Sequence, residues 1–189
     1  MAATKKPKSR SATREALLRA ASQVVIDKGV EALTLDAVAK QAGVSKGGLL
    51  YHFPNKDALI GGMVEQLIQD FETVLQTEFD QDDAPGTLGQ WVRAYIRATL
   101  RFGKQSLALI ARLSSIAADS PNLFEAAKVY EQQSRQRIET SGIDPIKATI
   151  ILLATDGLWL SEVFQVGILE EPRLTQVVET LLAMTRTDQ

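Results

Sequence analysis

Leu33-Thr34-Leu35-Asp36-Ala37-Val38-Ala39-Lys40-Gln41-Ala42-Gly43-Val44-Ser45-Lys46-Gly47-Gly48-Leu49-Leu50-Tyr51-His52-Phe53-Pro54-Asn55-Lys56-Asp57-Ala58-Leu59 is the stretch that decides the architecture of this 189-residue chain. Thr34 is a good N-cap, and Leu35, Val38, Ala39 and Ala42 follow at i, i+3, i+4 and i+7, one apolar face of a helix. Gly43 falls where a helix end needs a residue tolerant of positive φ. Ser45 caps again at once, so a second short helix, Lys46 to His52, starts only a few residues later. That is the spacing of a helix-turn-helix. The second helix is polar and cationic, with Lys46, Tyr51 and His52 but almost no bulk at Gly47 and Gly48. Small residues in its first turn let it lie against a phosphate-walled groove without steric conflict.

Outward from this stretch, hydrophobic periodicity stays helical. Residues 1–12 lack it and read as a disordered basic arm. A first helix follows Thr13, with Leu17, Ala20, Ala21, Val24 and Val25 on one face, and stops at Gly29. Asn55 recaps a long fourth helix running to about Phe79, and residues 80–86 form a surface loop. A fifth helix begins after Thr87, carries Leu88, Trp91, Val92, Tyr95, Ile96 and Thr99, and ends at Gly103. Ser106 caps a sixth, to about Ala118. Ser120-Pro121 opens a seventh that ends at Gly142, Asp144-Pro145 an eighth to about Val166, and Glu171-Pro172 a ninth. No stretch alternates with period two, so the expected fold is all-α with about nine helices.

Charge divides the chain more sharply than its net −2 suggests. Residues 1–56 hold ten Lys and Arg against four acids, whereas residues 57–189 hold 11 basic and 19 acidic residues. Only the first part attracts a polyanion. There is no cysteine, which excludes disulfides, thiolate zinc sites and cysteine nucleophiles. Residues 1–14 lack the apolar segment of a secretory signal. The longest apolar run, residues 150–154, is far short of the ~20 residues of a membrane span, so a cytoplasmic protein without a membrane partner is expected. His52 is the sole histidine and has no acid nearby in sequence, and no glycine-rich phosphate loop is present. Neither an enzyme, a metal site nor a cofactor is expected.

The ungapped run from Leu33 to Leu59 resembles the DNA-binding signature of TetR-family transcriptional regulators. The Thr-initiated helix, Gly43-Val-Ser-Lys-Gly47, the aromatic cluster, Phe53-Pro54 and Asn55-Lys-Asp-Ala-Leu59 come in the family's order. The resemblance implies a ligand-responsive regulator, usually a repressor, that binds a palindromic operator in double-stranded DNA as a homodimer. Its two recognition helices then lie roughly 34–36 Å apart, or a multiple of one DNA turn. It implies a three-helix DNA-binding domain over residues 13–56 and a helical ligand-binding and dimerisation domain over residues 57–189. Lys46 is the candidate for base edges and Lys56 for phosphate, while Thr34 and Ser45 cap helix N-termini that attract anions. Gly47 and Gly48 give close approach, and Tyr51 and His52 match family positions that contact backbone and bases. Read from the residues alone, Tyr51 and His52 also fit packing against the first helix. Two departures stand out: the family usually carries Thr at the position of Gly48 and Tyr at that of Leu50. Two hydroxyl contacts are therefore missing, and the basic arm or Tyr51 is left to offset them.

The family's effector cavity, between its fourth and eighth helices, would draw here on Trp91, Tyr95, Phe102, Arg112, Phe124, Asp156 and Trp159. Each aromatic also fits plain core packing. Asp156 stands in an apolar run and needs a partner if buried. Arg112, a cationic ligand or a solvated helix edge each supply one. A sizeable, mostly apolar small-molecule effector is expected, with the fourth helix as the only relay to the DNA-binding domain. The eighth helix is apolar all round and the ninth adds a stripe of Leu174, Val177, Val178, Leu181 and Leu182, so these two are expected to form the homodimer contact. A second reading keeps the fold but makes the chain a structural nucleoid DNA-binding protein acting through a protein partner. A solidly packed core would favour it.

Overall fold

The computed structural model describes residues 10–102, 104–116 and 125–186. Helices α1 (Arg10–Lys28), α2 (Leu35–Ala42), α3 (Lys46–Leu50), α4 (Lys56–Asp80), α5 (Gln90–Arg101), α6 (Lys104–Ser114), α7 (Glu125–Glu139), α8 (Pro145–Phe164) and α9 (Arg173–Met184) account for its regular structure, with a 3-10 turn at Val30–Ala32. Among the described residues there is no strand, and no helix is long and apolar enough to cross a membrane. Packing divides the chain into two compact units, Met1–Gln66 with Arg112–Phe124, and Leu67–Ala111 with Glu125–Gln189. Both α4 and α6 supply residues to each unit.

The first unit is built on α1, whose Leu17, Leu18, Ala21, Val24 and Val25 are buried together with Val38 and Ala39 of α2, Leu49 and Phe53. Gly62 lets the α4 backbone close this core. A Cβ there would stand 2.8 Å from Phe53 Cε1 and 3.3 Å from Leu18 Cδ2. The second unit has a core of Val92, Ile96, Ile138, Ile143, Ala148, Ile151 and Leu181, drawn from α5, α7, α8 and α9. Gly89 starts α5 at φ 75, and a Cβ on it would lie 2.5 Å from the Thr185 carbonyl oxygen. Only glycine satisfies both the left-handed backbone and that approach.

Several sequence expectations need correcting. The first helix already includes Arg10, Ser11 and Ala12, which therefore do not belong to a disordered arm. Arg and Ala are strong helix formers, and the Arg10 guanidinium has the Tyr51 ring to rest on. The remainder of the arm, residues 1–9, lies outside the described residues. The recognition helix is shorter than expected, ending at Leu50 and leaving His52 in the following turn. Ser106 lies inside α6 rather than capping it, because that helix begins at Lys104. The expected helix end at Ala118, the Ser120-Pro121 start, Gly103 and Phe124 all lie outside the described residues. Asp144 caps α8, accepting from the Lys147 backbone N–H at 2.8 Å, but that helix stops at Phe164, with Gln165 left-handed. The loop after α4 is not wholly a surface loop. Asp82 is 6% exposed, because guanidinium groups from α5 satisfy its carboxylate.

Candidate nucleic-acid interface and effector cluster

In the first unit two caps fix the turn. Thr34 Oγ1 accepts from the Ala37 N–H and Ser45 Oγ from the Gly48 N–H, both at 3.1 Å. Gly43 holds the corner between them at φ 67. Leu49 and Phe53 are buried and anchor α3, which turns its other face outward. Thr34, Ser45, Lys46, Gly47, Gly48, Tyr51 and Lys56 are consequently all exposed. Asn55 Oδ1 accepts from the Ala58 N–H at 2.7 Å and caps α4 just ahead of Lys56.

Tyr51 is 67% exposed, so it is no core residue. Its ring meets the half-buried His52 edge-on at 5.3 Å and carries the Arg10 guanidinium 5.1 Å above its centre. The contact with helix α1 left open by the sequence is therefore made, but by an arginine lying on an exposed ring. Lys46 Nζ is 2.9 Å from Asp36 Oδ2, with both side chains mostly exposed. An exposed pair of this kind is worth about 0–1 kcal/mol, so a phosphate or base edge can compete for the amine. Neither Arg10 nor Asp36 was visible in the sequence as part of this face. Both reach it across turns, where no periodic pattern reports contact. Leu50, where the family usually has Tyr, is exposed.

In the second unit the two faces of α5 differ. Trp91 and Tyr95, one turn apart, stack with ring centres 5.4 Å apart. Phe71 of α4 meets Tyr95 edge-on at 5.8 Å, Phe102 at 5.3 Å and Tyr130 of α7 at 6.1 Å. The Tyr95 hydroxyl donates to Asp156 Oδ1 of α8 at 2.6 Å. Burial pushes the Asp156 carboxyl above its ordinary range against the opposing effect of that hydrogen bond. Burial likewise raises the Tyr95 phenol, with the Asp156 charge adding to it, and pushes the Tyr130 phenol up to about 12. Arg137 lies 5.8 Å above the Trp91 ring and donates to Glu72 Oε1 at 2.9 Å.

The structure thus brings Trp91, Tyr95, Phe102 and Asp156 into one cluster, linked through Phe71. Trp159 is half-buried on α8 and takes no part in the ring contacts of the described residues. Arg112, expected as one partner for Asp156, falls in the other compact unit. It is exposed, packs with the first unit and points toward Gly29, where its Nη1 would be 3.9 Å from an added Cβ. Its donor among the described residues is a neutral phenol on α5, and nothing in the apolar run around Asp156 could have announced it.

The other face of α5 carries Arg93, Arg97 and Arg101. Arg93 is 1% exposed and donates to both Asp82 oxygens, the Leu88 and Ala84 carbonyls and Thr87 Oγ1. Arg97 bridges Asp82 and Asp83, and Asp83 also takes Arg186 beyond α9. Burial alone would raise the Asp82 carboxyl, but hydrogen bonds from Arg93 and Arg97 outweigh it and hold the group below its ordinary range. Arg186, then Arg97, lower Asp83 to about 2.

Comparison with known proteins fits this geometry. Residues 17–63 match the family described as bacterial regulatory proteins, tetR family, and residues 89–186 match the tetracyclin repressor-like C-terminal domain. The HTH-type transcriptional regulator RutR of Escherichia coli strain K12 is 33% identical over 100 residues, 53% of this chain and 45% of that protein. The match thus spans less than half of the relative's length. The nucleoid occlusion factor SlmA of Vibrio cholerae is 29% identical over 131 residues, 68% of this chain and 63% of its own. Among solved structures, a TetR-family member from Streptomyces coelicolor superposes with a TM-score of 0.71 at 22% identity, covering 93% of this chain and 99% of that one. The multidrug binding protein EbrR, complexed with ethidium, gives 0.68 at 22% identity with the same coverage. At such identities these structures establish the fold. Since the family matches take in both the helix-turn-helix and the helical bundle that follows it, this chain belongs to the TetR family of DNA-binding transcriptional regulators, which are not enzymes.

Proposed function

We propose that the chain is a homodimeric, ligand-responsive repressor that places α3 in successive major grooves of a palindromic operator. The observation that carries this reading is the exposed row of Lys46, Gly47, Gly48 and Tyr51, raised on the buried anchors Leu49 and Phe53. Lys46 reads base edges, Lys56 and the caps Thr34 and Ser45 face phosphate, and Tyr51 and His52 contact backbone and bases. Dimerisation is supported by α8, where Ile146, Ile150, Leu153, Leu160 and Phe164 form one exposed apolar stripe. Obligate dimer surfaces resemble a core cut in half. On α9, Val178 and Leu182 pack on the chain's own core, so charges there would disturb the fold rather than report an interface. Leu153 and Leu160 are the positions that test it.

An effector filling the Trp91–Tyr95–Asp156 cluster would change the spacing of the two recognition helices. The relay is not confined to α4, since α6 also contributes to both units. A coupling of about 1–3 kcal/mol suffices for a 5- to 150-fold loss of DNA affinity. The test is selection of binding sites from random DNA by the full chain, then titration with Lys46→Ala and Leu153→Glu/Leu160→Glu. Inverted repeats should be recovered, Lys46→Ala should weaken them more than random DNA, and the double variant should sediment as a monomer that loses them. Recovery of no symmetric site would refute the operator reading.

A second reading, a nucleoid protein acting through a protein partner, is favoured by the match to SlmA, which reaches further along this chain than that to RutR. It expects many scattered genomic sites and DNA binding indifferent to small molecules.

A further inference from the structure

Among the described residues Asp156 is a carboxylate without a cation. Among the described residues its recorded donor is the neutral Tyr95 hydroxyl, and no lysine or arginine pairs with it. The charged neighbours do not remedy this. Glu72 of α4 and Arg137 of α7 pair with each other at 2.9 Å and cancel. The nearby titratable groups are phenols, Tyr95 of α5 and Tyr130 of α7, which burial shifts further from ionisation, and the Thr99 and Ser134 hydroxyls beside them carry no charge. The cluster is therefore left with one unbalanced negative charge, or with a carboxyl forced to keep its proton. A second observation is independent of that charge. The Trp91 indole Nε1 is buried and has no acceptor among the described residues. A finished core rarely leaves such a donor unspent. The rings beside these polar atoms are aromatic, with Phe71 and Trp91 each in contact with Tyr95.

We propose that the effector recognised by this cluster is an aromatic organic cation, its positive centre against Asp156 and an acceptor oxygen toward the Trp91 N–H. The inference rests on the reading of the second unit as an effector site and names the chemical class. A buried carboxylate and an organic cation each lose hydration on meeting, and their attraction in a low-dielectric cluster offsets that loss, whereas a neutral ligand leaves Asp156 unpaired. Aromatic ring faces stack with a flat body and favour positive charge. Discrimination follows from the same balance: a neutral molecule of equal shape gains the apolar contact but not the ion pair. Binding must also depend on pH. The cation requires ionised Asp156, whose carboxyl lies above its ordinary range, so affinity should rise with pH and level off once the group is ionised. Neither phenol titrates near neutrality, so the profile belongs to the carboxylate.

The experiment uses the full chain and two isosteric probes, (4-nitrobenzyl)trimethylammonium and 4-neopentylnitrobenzene, which differ only in charge. Their nitro groups carry acceptor oxygens and quench tryptophan emission, to which Trp91 and Trp159 alone contribute. Wild type should prefer the ammonium probe on the order of tenfold at pH 8. Asp156→Asn should bind both probes alike, the preference for the ammonium probe being lost. If that variant fails to fold, the wild-type profile decides, because the ammonium preference alone should decline as pH falls. Equal affinities in wild type at every pH would overturn the cation class and leave the effector site standing. Binding of neither probe would remove the effector site and the class with it.

Discussion

One helix, α5, carries two opposite solutions to the burial of an aspartate. On one face Arg93 and Arg97 surround Asp82, fill both its oxygens and hold its carboxyl below the ordinary range. On the other, Tyr95 is the neutral donor to Asp156 among the described residues, and burial pushes that carboxyl up. The first group is saturated and has nothing left to offer a ligand; it fixes a corner where the loop after α4, the start of α5 and the end of α9 meet. The second is held in place but not neutralised. A buried charge that is fully partnered reads as architecture, and one that is only oriented is a candidate for recognition.

The sharpest way to break this comparison is to remove one partner from each side. Arg93→Met leaves Asp82 buried beside a shifted loop and should cost about 3–5 kcal/mol in urea denaturation. Asp156→Asn keeps the Tyr95 contact and removes a strained charge, so it should change stability by less than about 1 kcal/mol. Equal losses would mean that both aspartates are structural. The corner has a second test in Gly89. With φ 75 and the Thr185 carbonyl 2.5 Å from any Cβ, Gly89→Ala should cost about 2–3 kcal/mol. A loss near zero would show that the end of α9 can move away freely.

The sequence made the two sides unequally legible. Asp156 amid isoleucines and leucines is visible as an oddity of pattern, and Trp91 and Tyr95 as members of one regular apolar helix face. Their meeting is not, since it joins α5 to α8 across 61 residues of chain. The Arg93 corner was missed because an arginine beside Val92 reads as a solvated position, and Asp80-Gln-Asp-Asp reads as a polar loop. In the first unit the situation is reversed. Caps and turns are local events, so Thr34, Gly43 and Ser45 could be placed from sequence alone, while Arg10 on Tyr51 and Asp36 on Lys46 could not.

Titration offers a third and smaller contrast, because the two sides have opposite sign. Asp82 and Asp83 have lowered folded values, so their contribution is present above the unfolded value near ~4 and is lost as pH falls through the folded one, about 2 for Asp83. Asp156 has a raised folded value, so its burial becomes a cost as pH rises from ~4 through that value. Urea midpoints should therefore drop between pH 4 and ~2, with the drop reduced in Asp83→Asn. Because Asp83 is half exposed, that share should stay within about 1 kcal/mol. Asp156→Asn should gain on wild type as pH rises above ~4. A constant difference between the two proteins across pH would mean that Asp156 titrates normally.

The mildest test carries the comparison to an acid that is neither buried nor saturated. Asp36 holds Lys46 at 2.9 Å on the exposed face of the first unit, and its carboxylate stands in the first turn of α2. Solvent screens this pair, and the helix terminus adds only a fraction of a kcal/mol, so Asp36→Ala should cost no more than about 1 kcal/mol of stability. Its effect on DNA should be larger than its effect on the fold. Removing the carboxylate deletes a negative charge beside the phosphates and frees the amine, so affinity for random DNA should rise. If the freed amine settles on phosphate, the log–log salt slope should steepen by up to about 0.9. If it reaches a base edge instead, affinity for the selected operator should rise with little change in slope. An Asp36→Ala protein with unchanged affinity for both DNAs would mean that the pair leaves Lys46 as available as solvent does.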